Sequence, residues 1–234
     1  MDSKRLHANK ESWASGRTRI KVCGITDQDE ANEIVKVGAD ALGFIFAAQS
    51  PRRIEPDKAR EIIRQLPPFV DAVGVFVNEE AEVVNEIVQY CRLTMVQLHG
   101  EETPAYCEGI SCRVIKALRI GPAVASLGQS LYEPYHDKVS AFLLDTFHEK
   151  MAGGTGQTFD WNLLEQLRPP DPMILSGGLS PENISAAVGK VRPFAVDVNS
   201  GVEFEPGRKD IARVKQFVQE VIKADAARMT EQDD

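Results

Sequence analysis

Three side chains in this sequence join reactive chemistry to an informative position. Cys23 ends a short apolar run, Ile20–Cys23, in which Lys21 shares its face, because side chains alternate along a strand. A cation there lies roughly 6 to 7 Å from the sulfur and favours thiolate, the form that acts as base or nucleophile. The competing arrangement pairs Lys21 with a buried carboxylate such as Asp197 and leaves Cys23 an inert thiol. Asp145 ends another apolar run and precedes a long glycine-bearing loop. It is either a structural loop cap or a general acid with a raised pKa. Arg52 follows Pro51 in a charged loop. It is either a solvated surface side chain or a planar donor fork for a substrate carboxylate, a task that suits Arg better than Lys.

Glycines supply a second kind of chemistry. Gly153-Gly154-Thr155-Gly156, Gly177-Gly178 and Ser200-Gly201 each follow a predicted strand. Backbone N–H groups that glycine leaves accessible, with the positive end of a helix, make a phosphate site. Any one pair alone reads equally as a tight turn. Three such loops on adjacent strands point to phosphate, with Gly154, Gly156, Gly177, Gly178, Ser200 and Gly201 as its candidate ligands. His99 is the one histidine at a strand end, without a second His or carboxylate in register, so no metal is expected.

The elements that must hold these residues alternate. Apolar runs read as strands at Ile20–Cys23, Ala41–Phe46, Ala72–Val77, Met95–Leu98, Val114–Leu118, Ala141–Asp145, Met173–Ser176 and Phe194–Val198. Helical spacing of apolar residues appears over Asp29–Val37, Asp57–Leu66, Glu80–Tyr90, Pro181–Val188 and Lys209–Ala224. Such alternation specifies a parallel β/α architecture. A doubly wound sheet would carry a glycine-rich turn after its first strand, but Cys23-Gly24-Ile25-Thr26 has no GxGxxG. Eight strands favour a closed (β/α)8 TIM barrel, whose chemistry sits on the loops at the C-terminal strand ends. Cys23, Arg52, His99, Asp145 and Asp197 all fall at or just beyond those ends. Lys116 lies inside the fifth strand, among the polar residues assigned to the barrel interior.

Composition agrees. The 234 residues carry 27 Lys+Arg against 35 Asp+Glu, a net charge of −8, with 43% hydrophobic residues. That suits a globular domain and excludes wholesale disorder. No basic block offers a nucleic-acid surface, and no apolar run reaches the length of a membrane helix. The first residues show no export signal, and the four cysteines have no CxxC spacing. We expect a cytoplasmic protein with reduced thiols, acting on a small phosphosugar as a monomer, with no nucleic-acid or membrane partner.

An ordered set of motifs then resembles one family. Lys21-Val22-Cys23-Gly24-Ile25-Thr26, Gly38-Ala39-Asp40-Ala41-Leu42-Gly43-Phe44, Ser50-Pro51-Arg52 and Gly74-Val75-Phe76-Val77-Asn78 are its first half. Val96-Gln97-Leu98-His99-Gly100, Leu143-Leu144-Asp145-Thr146, Leu175-Ser176-Gly177-Gly178-Leu179 and Asp197-Val198-Asn199-Ser200-Gly201-Val202-Glu203 follow. Together they resemble phosphoribosylanthranilate isomerase, over roughly residues 19–222. The resemblance implies a single barrel without metal or organic cofactor. It implies an Amadori rearrangement of N-(5-phosphoribosyl)anthranilate to 1-(2-carboxyphenylamino)-1-deoxyribulose 5-phosphate in tryptophan biosynthesis. It further implies Cys23 as general base, Asp145 as general acid, Arg52 on the anthranilate carboxylate, and His99 and Asp197 lining the pocket. The loop Phe147–Thr158 is expected to close over the substrate.

The expected domain plan is a tail over 1–18, a catalytic barrel over 19–224 and a frayed tail over 225–234. Another phosphosugar barrel, such as a metal-dependent pentose-phosphate epimerase, would need more strand-end histidines. A non-catalytic phosphosugar binder could dispense with Cys23 or Asp145. An isomerase that also serves histidine biosynthesis is expected to place an aspartate where Cys23 stands.

Overall fold

In the computed structural model, which describes residues 16–121, 124, 128–146, 164, 167, 169–170 and 172–230, eight parallel strands close into a barrel in chain order. They are β1 (Arg19–Cys23), β2 (Ala41–Ile45), β3 (Asp71–Phe76), β4 (Met95–Leu98), β5 (Arg113–Arg119), β6 (Ala141–Asp145), β7 (Met173–Ser176) and β8 (Ala195–Val198). The described helices are α1 (Gln28–Lys36), α2 (Pro56–Ile63), α3 (Ala81–Cys91), α4 (Pro104–Glu108), α5 (Ile184–Val191) and α6 (Ile211–Thr230). The (β/α)8 architecture is therefore the one the strand count implies.

Local chemistry starts these helices where the sequence breaks. The Asp27 carboxylate accepts the N–H groups of Asp29 and Glu30 at 2.9 and 3.0 Å and so opens α1. Pro56 and Pro104 open α2 and α4, where a missing N–H costs nothing. The alternating faces of the strands build two layers of core. Ile20, Val22, Leu42, Phe44, Val96 and Leu98 face outward against the helices. Val73, Ile115, Leu143 and Ile174 fill the barrel interior. Above them, at the C-terminal end, sit Cys23, Ile45 and Val75. Apolar filling thus stops where the candidate site residues begin.

Two expectations change. Lys116 does not face the axis. Its register partners are Leu98 and Phe142, and its ammonium reaches Glu102 at 2.7 Å outside the barrel; the parity of β5 puts Val114 and Lys116 outward. Lys209 is not the start of the last helix. A 3-10 turn (Ser200–Val202) leads into a hairpin of β9 (Glu203–Glu205) and β10 (Arg208–Lys209). Pro206 and Gly207 occupy its turn, as turn chemistry requires.

The C-terminal boundary also moves. Residues 225–230, expected as tail, continue α6, and Asp225 is buried. Its carboxylate accepts the Thr18 N–H at 2.7 Å and the Thr18 hydroxyl at 2.8 Å. The chain entering β1 has unpaired donors, and the last turns of α6 satisfy them.

Asp225→Ala should therefore lower stability by about 2 kcal/mol, since two buried donors lose a charged acceptor. Urea denaturation measures this; an unchanged midpoint would contradict the contact's structural role.

Candidate active site

Strand register sets the first corner. Lys21 of β1 lies directly beside Asp197 of β8, and Cys23 beside Gly43 of β2. Lys21 Nζ donates to Asp197 Oδ1 at 2.8 Å, with both side chains about 95% removed from solvent. Burial works against the Lys21 charge, but Asp197 and Cys23 outweigh it and raise its pKa. Of the two arrangements open for Lys21, the pairing with Asp197 is realised. Burial pushes the Cys23 thiol up; Lys21 and Lys209 pull it down, and Asp197 adds to the rise. A cation beside the sulfur is present as expected, but its attraction does not overcome desolvation.

The opposite corner belongs to β4 and β6. His99 Nε2 lies 3.1 Å from Asp145 Oδ2, and His99 Nδ1 lies 3.1 Å from Gln97 Nε2. An amide nitrogen only donates, so with Gln97 in this orientation Nδ1 accepts and the ring proton sits on Nε2, aimed at Asp145. The Gln97–His99–Asp145 chain fixes the direction of the carboxyl. Behind it, Lys116 Nζ holds the Gly100 carbonyl at 2.7 Å, and Glu102 accepts the N–H groups of Asn78 and Gly100. Burial opposes the Glu102 charge, but hydrogen bonds from Lys116 and Asn78 hold its pKa below the ordinary value. That buried pair braces the loop carrying His99.

The third region is the rim after β7 and β8. The Thr146 hydroxyl donates to the Ser176 and Gly177 carbonyls at 2.9 and 3.1 Å. Gly201 packs so tightly on the Leu179 carbonyl that a Cβ there would come within 1.9 Å of the oxygen; only glycine lets the two loops meet. The N–H groups of Gly177, Gly178, Ser200 and Gly201 donate to no described residue. Backbone donors with no partner among the described residues, gathered on one rim, suit an anion.

Arg52 closes the fourth side, lining the cavity with part of its guanidinium already committed to a carboxylate. Its Nε donates to Glu203 at 2.9 and 3.0 Å and its Nη2 at 2.7 Å. Lys209 Nζ, fully buried, donates to the same carboxylate at 2.7 Å and to Asn199 Oδ1 at 2.9 Å. Burial opposes the Glu203 charge, but Arg52 and Lys209 hold its pKa below the ordinary value. Burial lowers the Lys209 pKa against the pull of Glu203.

Cys23, Arg52, His99, Asp145, Asp197, Gly177, Gly178, Ser200 and Gly201 all line one open-topped cavity of about 420 Å³. Gly154 and Gly156 lie outside the described residues, as does the loop Phe147–Thr158. Sequence reading passed over Gly43, Glu203 and Lys209. The Pro206-Gly207 turn was the available signal for the hairpin that carries the last two. Among the described residues no three His, Cys, Asp or Glu are grouped as metal ligands, and no helix is long and apolar enough to cross a membrane.

The family model for N-(5'phosphoribosyl)anthranilate (PRA) isomerase matches residues 20–220. N-(5'-phosphoribosyl)anthranilate isomerase of Geobacter sp. (strain M21) is 49% identical over 207 residues, covering 88% of this chain and 98% of that protein. The Pelobacter propionicus protein of the same name is 47% identical over 201 residues, covering 86% and 93%. The crystal structure of phosphoribosyl anthranilate isomerase from Thermotoga maritima superposes with a TM-score of 0.78 at 43% identity, covering 88% of this chain and 99% of that one. A phosphoribosyl anthranilate isomerase in complex with reduced 1-(o-carboxyphenylamino)-1-deoxyribulose 5-phosphate gives 0.77 at 42%, with the same coverage.

A Cβ at position 43 would stand 2.7 Å from Cys23 Sγ and 3.0 Å from Lys21 Nζ. Replacing a strand glycine by alanine ordinarily stabilises by about 0.5–1 kcal/mol. Gly43→Ala should instead destabilise by about 1–3 kcal/mol, the cost of overpacking. A stabilised variant in chemical denaturation would contradict the contact.

Proposed function

We propose that Cys23 and Asp145 divide the acid–base work in this chain, which belongs to the N-(5'-phosphoribosyl)anthranilate isomerase family. The protein is an isomerase of tryptophan biosynthesis. It converts N-(5-phosphoribosyl)anthranilate to 1-(2-carboxyphenylamino)-1-deoxyribulose 5-phosphate by an Amadori rearrangement. The observation that carries the proposed roles is the convergence of a buried thiol, a directed carboxyl and a rim of N–H groups unpaired among the described residues on one cavity.

Asp145 in its protonated form gives a proton to the ring oxygen as the C1–O bond breaks. The nitrogen lone pair completes a protonated Schiff base, which acidifies the C2 hydrogen. Cys23 as thiolate takes that proton, and the C–H electrons flow to the nitrogen, giving an enolamine that tautomerises to the ketone. The substrate nitrogen is the electron sink, so the steps require no external one. His99 turns Asp145 toward the substrate through the 3.1 Å contact. The rim glycines and Ser200 bind the phosphate, and that remote attachment holds C1 and C2 between acid and base. Arg52 receives the anthranilate carboxylate with the guanidinium edge not bound to Glu203.

Cys23→Ser and Asp145→Asn, both folded, should each lose about 10²–10⁴ in kcat, followed by the decay of anthranilate fluorescence. An unimpaired variant removes that residue from its role.

The thiol's raised pKa gives a pH signature. Asp145→Asn removes the acid, and its residual rate should climb with pH beyond the ordinary cysteine value, because only the thiolate fraction then matters. A flat profile in that variant would contradict Cys23 as the base.

A further inference from the structure

Arg52, Glu203 and Lys209 form a buried triad at the cavity wall, and its geometry is lopsided. Glu203 takes the Nε and Nη2 edge of the guanidinium, while Nη1 makes no hydrogen bond to a described residue. Arg52 is 19% exposed, whereas Glu203 and Lys209 are 4% and 0%. Two cations share one carboxylate, so the triad holds one surplus positive charge, and Arg52 is its only member lining the cavity. A buried surplus charge is costly until an opposite charge arrives.

The hairpin that supplies Glu203 and Lys209 is itself tied down. The Thr26 hydroxyl donates to the Gly207 carbonyl at 2.7 Å, the Gly207 N–H returns to Glu203 at 3.2 Å, and Glu30 binds both Arg208 and the Lys209 N–H. The carboxylate that grips Arg52 therefore stands on the first βα loop and α1, and does not depend on a free side-chain rotamer.

We propose that Glu203, fixed by Lys209, is a positioning residue that presents Arg52 as a one-sided carboxylate receptor, and that this triad sets the preference for a substrate bearing the anthranilate carboxylate. The inference rests on the reading of Arg52 as the carboxylate-binding residue and adds what aims it. A purely structural triad would neutralise charge and affect all ligands alike. A positioning triad acts on carboxylated ligands selectively.

The test compares two ligands by calorimetric titration: reduced 1-(o-carboxyphenylamino)-1-deoxyribulose 5-phosphate and its phenylamino counterpart without the carboxylate. Wild type should bind the carboxylated ligand about 100-fold more tightly, as a charge-assisted pair allows. Glu203→Gln should cut that ratio about tenfold and leave the Kd of the phenylamino ligand within about threefold. Arg52→Ala should abolish most of the ratio, and adding Glu203→Gln to it should change nothing further, the mark of residues acting through one another. If Glu203→Gln does not fold, Glu203→Asp keeps the charge, withdraws the carboxylate and should lower the ratio in the same direction. An undiminished ratio, or equal weakening of both ligands, overturns the positioning role while leaving Arg52 as the receptor. Failure of wild type to discriminate overturns both.

Discussion

A buried ammonium–carboxylate pair, Lys21 with Asp197, is the constraint on which the catalytic end of this barrel depends. It joins the first strand to the last, where the sheet must close, and its partners are fixed by register as neighbours. Two desolvated charges are tolerable only in contact, because separating them strands each in a medium that cannot solvate it. A one-residue slip of β1 would point Lys21 outward and carry Cys23 off the axis with it. The pair therefore reports correct closure and correct placement of the thiol together. It also bears on the thiol: Lys21 is shared with Asp197, and burial pushes the Cys23 pKa up against the pull of that ammonium.

The rest of the site repeats one device, in which a polar side chain is held in direction by a partner that is itself held. Asp145 is directed by His99, His99 by Gln97, and their loop by Glu102 and Lys116. Arg52 is held by Glu203 and Glu203 by Lys209. The rim after β7 and β8 differs in offering backbone donors, which under the proposed function would hold a phosphate without a positive side chain, compatible with a net charge of −8. Polar groups placed in advance limit the reorganisation left for the chemical step.

Much of this was legible in the sequence, for physical reasons that particular residues illustrate. The strands were readable because most of their residues are apolar, and their parity put Lys21 with Cys23 and Gln97 with His99. Helices were readable from apolar spacing over Asp29–Val37, Asp57–Leu66 and Glu80–Tyr90, but the short α4 (Pro104–Glu108) has too few turns to show a period and was missed. What failed was long-range. Nothing near Asp225 announces that it accepts from Thr18, 207 residues away in the chain. Arg52 and Glu203 are separated by 151 residues, so a guanidinium that looked either solvated or open to substrate is half committed. Lys116 misled because parity within a strand was counted without an anchor, and Lys209 because helical spacing continued into a hairpin whose Pro-Gly turn was the stronger signal.

Burial, beyond what Lys21 can offset, holds the Cys23 pKa above its ordinary value. The most direct measurement is a titration of thiolate ultraviolet absorbance in wild type against Cys23→Ser, which isolates this one sulfur from Cys91, Cys107 and Cys112. The difference signal should be absent at neutral pH and appear only above the ordinary cysteine pKa. A full thiolate signal already present at neutral pH would contradict it and restore Lys21 as the group that activates the base.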